Sequence, residues 1–234
     1  MMKGIQFYEF PDTSSLVEEL TGQIGQALEE GIAVRGQASL AVSGGNTPLP
    51  LFDALSKVAL EWKKVLITLV DERWVAVEEM DSNEKMVREH LLKGRAAEAG
   101  FLGMKTSDAS AKAGEGDCAM ALSPITLPFD VLILGMGNDG HTASLFPGAV
   151  RLKEAVAMDS GKLCMAISPP KAPHERMSLT LPAILNSRQI ILHISGATKR
   201  DVYEKACDHG PAEKMPIRYI LNQSQTPVTV YWAP

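Results

Sequence analysis

The sequence predicts an open, mostly parallel α/β sheet with helices on both faces. Three observations predict it. Short apolar, β-branched runs recur along the chain, with VLITLV at Val65–Val70 and VLIL at Val131–Leu134 the clearest. Segments of helical periodicity separate them, the alternation that builds βαβ units. Several runs end abruptly in glycines or charges, as buried parallel strands do at the carboxyl edge of a sheet.

Taken in order, Ile5 to Phe10 reads as a first short strand. Ser14 to Glu30 carries Leu16, Leu20, Ile24 and Leu28 at helical spacing and is expected to end before Gly31. Ser39 to Val42 is a strand, followed by the turn Ser43-Gly44-Gly45-Asn46-Thr47-Pro48 and a helix expected to reach about Leu60. Val65 to Val70 is a buried strand that delivers Asp71-Glu72-Arg73, and Ser82 to Leu92 is helical. Between Ser107 and Ser123 an alanine-rich pattern is weakened by Gly114 and Gly116, which predicts a surface helix, broken or short. Phe129 to Leu134 is a strand. Further strands are expected at Leu163–Ile167, Ser178–Leu181, Gln189–Ile194 and Val228–Trp232, with a helix from Thr198 to about Cys207.

Length and composition narrow the function. The 234 residues fit one domain, expected to span 1–234, with 45% hydrophobic and 22% charged residues, as in ordinary globular proteins. A net charge of -5 disfavours a nucleic-acid surface, so positive charge for an anionic ligand must come from a local pocket. Cys118, Cys164 and Cys207 are far apart, with no CxxC pair, which predicts reduced thiols. The N-terminal MMKGIQFYEFPD lacks the apolar core of a signal peptide, and no stretch approaches the ~20 apolar residues of a membrane span. No membrane association and a cytoplasmic location are the expectation. The oligomeric state is left open.

The chemistry concentrates in VLILGMGNDGHTASLFP, Val131 to Pro147. An apolar strand there runs into three glycines, Asp139 and His141, at the sheet edge where open α/β folds bind ligands. His141 titrates nearest neutral pH. Gly135, Gly137 and Gly140 spell G-x-G-x-x-G, with Asp159 about 20 residues on, as in dinucleotide sites. That fingerprint needs a full helix from the third glycine, and Pro147 arrives seven residues after Gly140. A nicotinamide site is therefore rejected. Asp139 and His141 could hold a metal, but the other histidines are scattered in sequence, so no metal is expected.

SGGNTP can be an anion seat, with amides turned inward by Gly44 and Gly45, Thr47 as a helix cap and Pro48 in the first turn. It can equally be a plain strand-to-helix turn. Arg73 offers a planar fork suited to phosphate, oriented by Asp71 or Glu72; the same three charges can simply mark the surface. Lys171, Arg176 and Lys199 are the remaining basic candidates, each equally readable as a solvated charge.

With these motifs in order, the chain resembles the 6-phosphogluconolactonases, lactone hydrolases of the oxidative pentose phosphate pathway. The matching segments are SGGNTP (Ser43–Pro48), DERWV (Asp71–Val75), Ser82-Asn83, GMGNDGHTASLFPG (Gly135–Gly148), SPPKAPHERMSLT (Ser168–Thr180) and SGATK (Ser195–Lys199). The wider group, with a Rossmann-like sheet, includes the glucosamine-6-phosphate deaminases. Their histidine is followed by a segment ending Phe-Asn-Glu-Pro, where this chain has Thr142-Ala143-Ser144-Leu145-Phe146-Pro147.

The resemblance implies hydrolysis of 6-phospho-D-glucono-1,5-lactone without cofactor or metal. It implies His141 as the base that activates water, with Asp139 orienting it. Ser43, Gly44, Gly45, Asn46, Thr47, Arg73, Arg176 and Lys199 become the expected substrate-binding residues. Which of the cations meets the phosphate is left open.

Overall fold

The computed structural model describes residues 5–234; Met1 to Gly4, part of the N-terminal segment read above, lie outside the described residues. Strand β1 (Ile5–Glu9) leads into α1 (Thr13–Arg35), where the Asp12 carboxylate accepts from the Ser15 amide at 2.8 Å and caps the helix. The stripe Leu16, Leu20, Ile24 and Leu28 is buried, as its spacing predicts. The helix does not stop before Gly31. It continues to Arg35 and ends on Gly36, at φ +78°. Gly31 serves close packing instead, since a β-carbon there would lie 3.0 Å from that of Ala38.

β2 (Ala38–Val42) is buried along its whole length, as a central parallel strand should be. α2 (Leu49–Leu55) is shorter than expected. The Ser56 carbonyl turns away to accept the Arg95 and Ala96 amides at 2.9 and 3.3 Å, so the helical ladder cannot pass it. β3 (Val65–Leu69) follows the sequence reading. Asp71–Arg73 is a short strand, β4, and α3 (Asn83–His90) begins on the Ser82 cap.

β5 (Gly100–Leu102) is too short to have a readable period. In the 107–123 region only α4 (Glu115–Leu122) is α-helical, and it buries Cys118 and Leu122 rather than lying wholly on the surface. Gly114 opens it because a β-carbon there would strike the Trp74 ring at 2.5 Å. β6 (Val131–Leu134), α5 (Leu152–Ala155) and β7 (Cys164–Ile167) come next. β8 (Arg176–Leu179) starts two residues earlier than expected, which draws Arg176 into a strand. The chain closes with α6 (Leu181–Leu185), β9 (Ile190–Ser195), α7 (Ala197–Cys207), α8 (Ile217–Leu221) and β10 (Val228–Ala233).

Seven strands form a parallel sheet in the order β1-β10-β9-β6-β2-β3-β5, flanked by helices. From β2 the chain moves outward through β3 to β5; from β6 it moves the other way through β9 to β10. The order therefore reverses between β2 and β6, and the loops leaving these neighbours part to open a crevice. β4, β8 and β7 make a second, antiparallel sheet. Val70 joins the two, donating to the Val42 carbonyl at 2.9 Å and accepting from the Leu179 amide at 2.8 Å. Among the described residues, no helix is long and apolar enough to cross a membrane.

Candidate active site

A cleft of about 300 Å³ opens at the switch point between β2 and β6. Ser43, at the end of β2, holds its two walls together. Its hydroxyl donates to the Ile133 carbonyl at 3.0 Å and accepts from the Gly135 amide at 3.1 Å. Ser43 lines the cleft, but its hydroxyl is committed to these backbone groups. Gly44 is required by contact, since a β-carbon would fall 1.9 Å from Asn83 Oδ1; Gly45 is required by its φ of +94°. Thr47 lines the cleft but does not cap α2: Pro48 occupies the cap position, with no side-chain hydrogen bond. Asn46 is exposed and lies off the cleft wall.

The loop after β6 is built around His141. The Gly137 amide donates to the His141 carbonyl at 2.8 Å, and Gly140 turns at φ +79°. No helix opens at Gly140, in keeping with the rejection of a dinucleotide site. A β-carbon at Gly137 would lie 2.1 Å from the His141 ring, so this glycine makes room for the imidazole. Asp139 Oδ1 sits 2.6 Å from His141 Nδ1 and also accepts the His141 amide at 3.1 Å. That contact with His141, above all, holds the Asp139 carboxyl down to about 2. Phe146 packs against the ring, with centroids 4.2 Å apart. Nδ1 is thereby engaged, and the Nε2 side of the ring is left to the cleft that His141 lines.

Arg73 and Lys199 reach the cleft from opposite sides, from β4 and from the first turn of α7. Neither makes an ion pair among the described residues. Arg73 Nη1 donates to the Asp81 carbonyl at 2.5 Å. The expected orienting role of Asp71 or Glu72 toward the Arg73 guanidinium is not found. Asp71 instead accepts from the Ser144 hydroxyl at 2.6 Å, tying β4 to the histidine loop. Glu72 is fully buried, and its carboxylate takes the Arg73, Asn83 and Glu84 amides at 2.7, 2.8 and 2.7 Å. It anchors the start of α3, while burial pushes its pKa up.

Arg176 lies directly opposite Arg73 in the β4–β8 pair. It is only 7% exposed, and its Nε and Nη1 have no hydrogen-bond partner among the described residues. Burial, then the neighbouring Arg73 charge, lower its pKa, but a guanidinium stays charged. Burial also lowers Lys199, against the opposing pull of Asp139. Lys171 is exposed and plays no part in this cluster. Among the described residues, no three His, Cys, Asp or Glu side chains converge in a geometry for a metal ion.

Among the polar cleft residues, Asp71 as a loop tie, Asn83 and His193 were not expected from the sequence. Asn83 Nδ2 donates to the Asp71 carbonyl at 2.8 Å and packs against Gly44. His193 had a signal, being the lone polar residue inside the apolar run Ile190–Ile194.

Comparison with known proteins places this arrangement. The model of the family described as glucosamine-6-phosphate isomerases/6-phosphogluconolactonase matches residues 11–232. A 6-phosphogluconolactonase of Rhizobium meliloti is 40% identical over 96% of this chain and 97% of its own. One from Pseudomonas putida is 37% identical over 99% of this chain and 94% of its own. The crystal structure of a 6-phosphogluconolactonase from Shewanella baltica superposes with a TM-score of 0.97 at 47% identity, covering all of both chains. The chain is an enzyme, and it belongs to the glucosamine-6-phosphate isomerase/6-phosphogluconolactonase family, among its lactonases.

Proposed function

We propose that the cleft hydrolyses 6-phospho-D-glucono-1,5-lactone to 6-phospho-D-gluconate, with His141 as the proton-transfer group. The Asp139–His141 contact at 2.6 Å carries this reading. A carboxylate on Nδ1 keeps the proton there and leaves Nε2 with a lone pair toward the cleft. Nε2 takes a proton from water as its oxygen bonds to lactone C1. The tetrahedral intermediate then expels the ring oxygen as the C1–O5 bond breaks, and Nε2–H returns the proton to O5. A δ-lactone is already electrophilic, so this sequence needs no covalent nucleophile, cofactor or metal.

Arg73, Arg176 and Lys199, with the Gly44 and Gly45 amides, are the substrate-binding set. The two unpartnered nitrogens of buried Arg176 beside Arg73 favour a dianionic acceptor such as phosphate. Ser43 and Thr47 then shape the seat rather than grip the substrate, and Asn46 stands outside it. Residues 1–234 act as one domain, in the cytoplasm, on a phosphosugar lactone, with no role for nucleic acid or membrane. The test follows lactone loss against its spontaneous hydrolysis, with glucosamine 6-phosphate as the control substrate. Lactone loss at the spontaneous rate, or ammonia released from the control, rejects the proposal.

A further inference from the structure

His193 lines the cleft and has no task in the reaction above. It sits on β9 beside Tyr231 of β10, between Leu192 and Ile194, and is 3% exposed. Its Nδ1 is sealed from solvent with no hydrogen-bond partner among the described residues. Burial lowers its pKa to about 4, so the ring is neutral near pH 7. Nothing in the packing calls for an imidazole here; an aliphatic side chain would fill the strand position without burying an unsatisfied nitrogen.

The sealed nitrogen fixes the tautomer. A buried N–H without an acceptor is rarer than an under-used acceptor, so Nδ1 keeps the bare lone pair and the proton goes to Nε2. The ring then meets the cleft with one uncharged donor. Phosphate has better partners in Arg73, Arg176 and Lys199. A single neutral donor matches an uncharged oxygen.

We propose that the Nε2–H of His193 donates to a hydroxyl oxygen of the bound sugar ring, and so makes the enzyme prefer a hydroxylated phospho-aldonolactone over its deoxy counterpart. This rests on the lactonase reading. The experiment compares kcat/KM for 6-phosphogluconolactone and its 2-, 3- and 4-deoxy counterparts in the wild type, His193→Leu and His193→Gln. The wild type should disfavour one deoxy lactone by about tenfold, the scale of one neutral hydrogen bond, and His193→Leu should bring that pair to within about twofold. His193→Gln, which keeps an N–H donor, should retain part of the preference. An unchanged preference in His193→Leu, or an equal loss on all four lactones, overturns the proposal. A wild type that hydrolyses none of them removes the lactonase reading, and this inference with it.

The wild type also supplies a test that needs no folded variant. With ¹⁵N-labelled histidine, saturating 6-phosphogluconate should shift the His193 Nε2–H resonance, and the corresponding deoxy acid should not. Equal shifts, or a proton found on Nδ1, overturn the assignment.

Discussion

His141 is held at its backbone by Gly137, at Nδ1 by Asp139 and on its face by Phe146. Removing the imidazole should leave the loop folded, because the His141 carbonyl still serves the Gly137 amide. His141→Ala is expected to lower kcat about a hundredfold or more while KM moves only a few-fold, the pattern of a lost proton-transfer group. Steady-state kinetics on the folded variant check it; near-normal kcat would remove His141 from the chemistry. Arg73 makes a different prediction. Its fork donates to the Asp81 carbonyl through Nη1, with the remaining donors directed by that anchor. Arg73→Lys keeps the charge but loses the fork, so kcat/KM on the phosphorylated lactone should fall about tenfold. Activity on unphosphorylated gluconolactone should hardly change. If the ratio of the two lactones stays at its wild-type value, Arg73 does not hold the phosphate.

At the level of elements, the end of β2 depends on one absent methyl group. Gly44→Ala would push the Asn83 amide off the Asp71 carbonyl and remove one of the ties between α3 and β4, leaving those made by Glu72. It should cost about 1–3 kcal/mol in urea unfolding, the range for overpacking a tight contact, with a loss of activity alongside. Gly116→Ala is the control: it sits in α4 with open space around it and should be neutral or slightly stabilising. Equal unfolding midpoints for the two variants would contradict the contact argument. These elements differ in how far sequence exposed them. α1 and β3 were legible because a long period, or a continuous β-branched run, leaves little choice. Asp71–Arg73 was not legible as a strand, since three charges have no apolar alternation; pairing with β8 makes it one. The histidine loop was legible because glycines, an acid and an imidazole at a strand end have few other uses. The burial of Arg176 directly opposite Arg73 was not, because it depends on which residue of β8 faces β4 across a long stretch of intervening chain.

For the whole molecule, stability should depend on pH in two limbs. His193 has its folded pKa depressed from 6.5 to about 4, so its contribution is complete above 6.5 and is lost as pH falls toward 4. That limb contributes at most about 3 kcal/mol. Asp139 and Glu115 are held near 2, below ordinary values of 3.8 and 4.5, Glu115 by Arg151 and the Ala166 amide against its own burial. Their contributions disappear as pH falls from about 4.5 to 2. Glu72 acts in the opposite sense, because its raised pKa lets the folded state take a proton first. Urea midpoints across pH 3 to 8 should therefore decline gently below about 6.5 and more steeply below about 4.5. His193→Leu should flatten the upper limb alone. An upper limb that survives in that variant assigns the effect to another group.

The loop from Gly135 to Leu145 has no helix, yet six of its eleven amides are bonded: Gly135 to Ser43, Gly137 to His141, Gly140 to Gly137, His141 to Asp139, Ser144 to Ser178 and Leu145 to Thr142. In a deuterium-exchange map those six amides should exchange more slowly than the five unbonded ones beside them, although the loop belongs to no regular element. Substrate would then meet a surface already in its working shape, and the encounter would be timed by diffusion rather than by the folding of a flap.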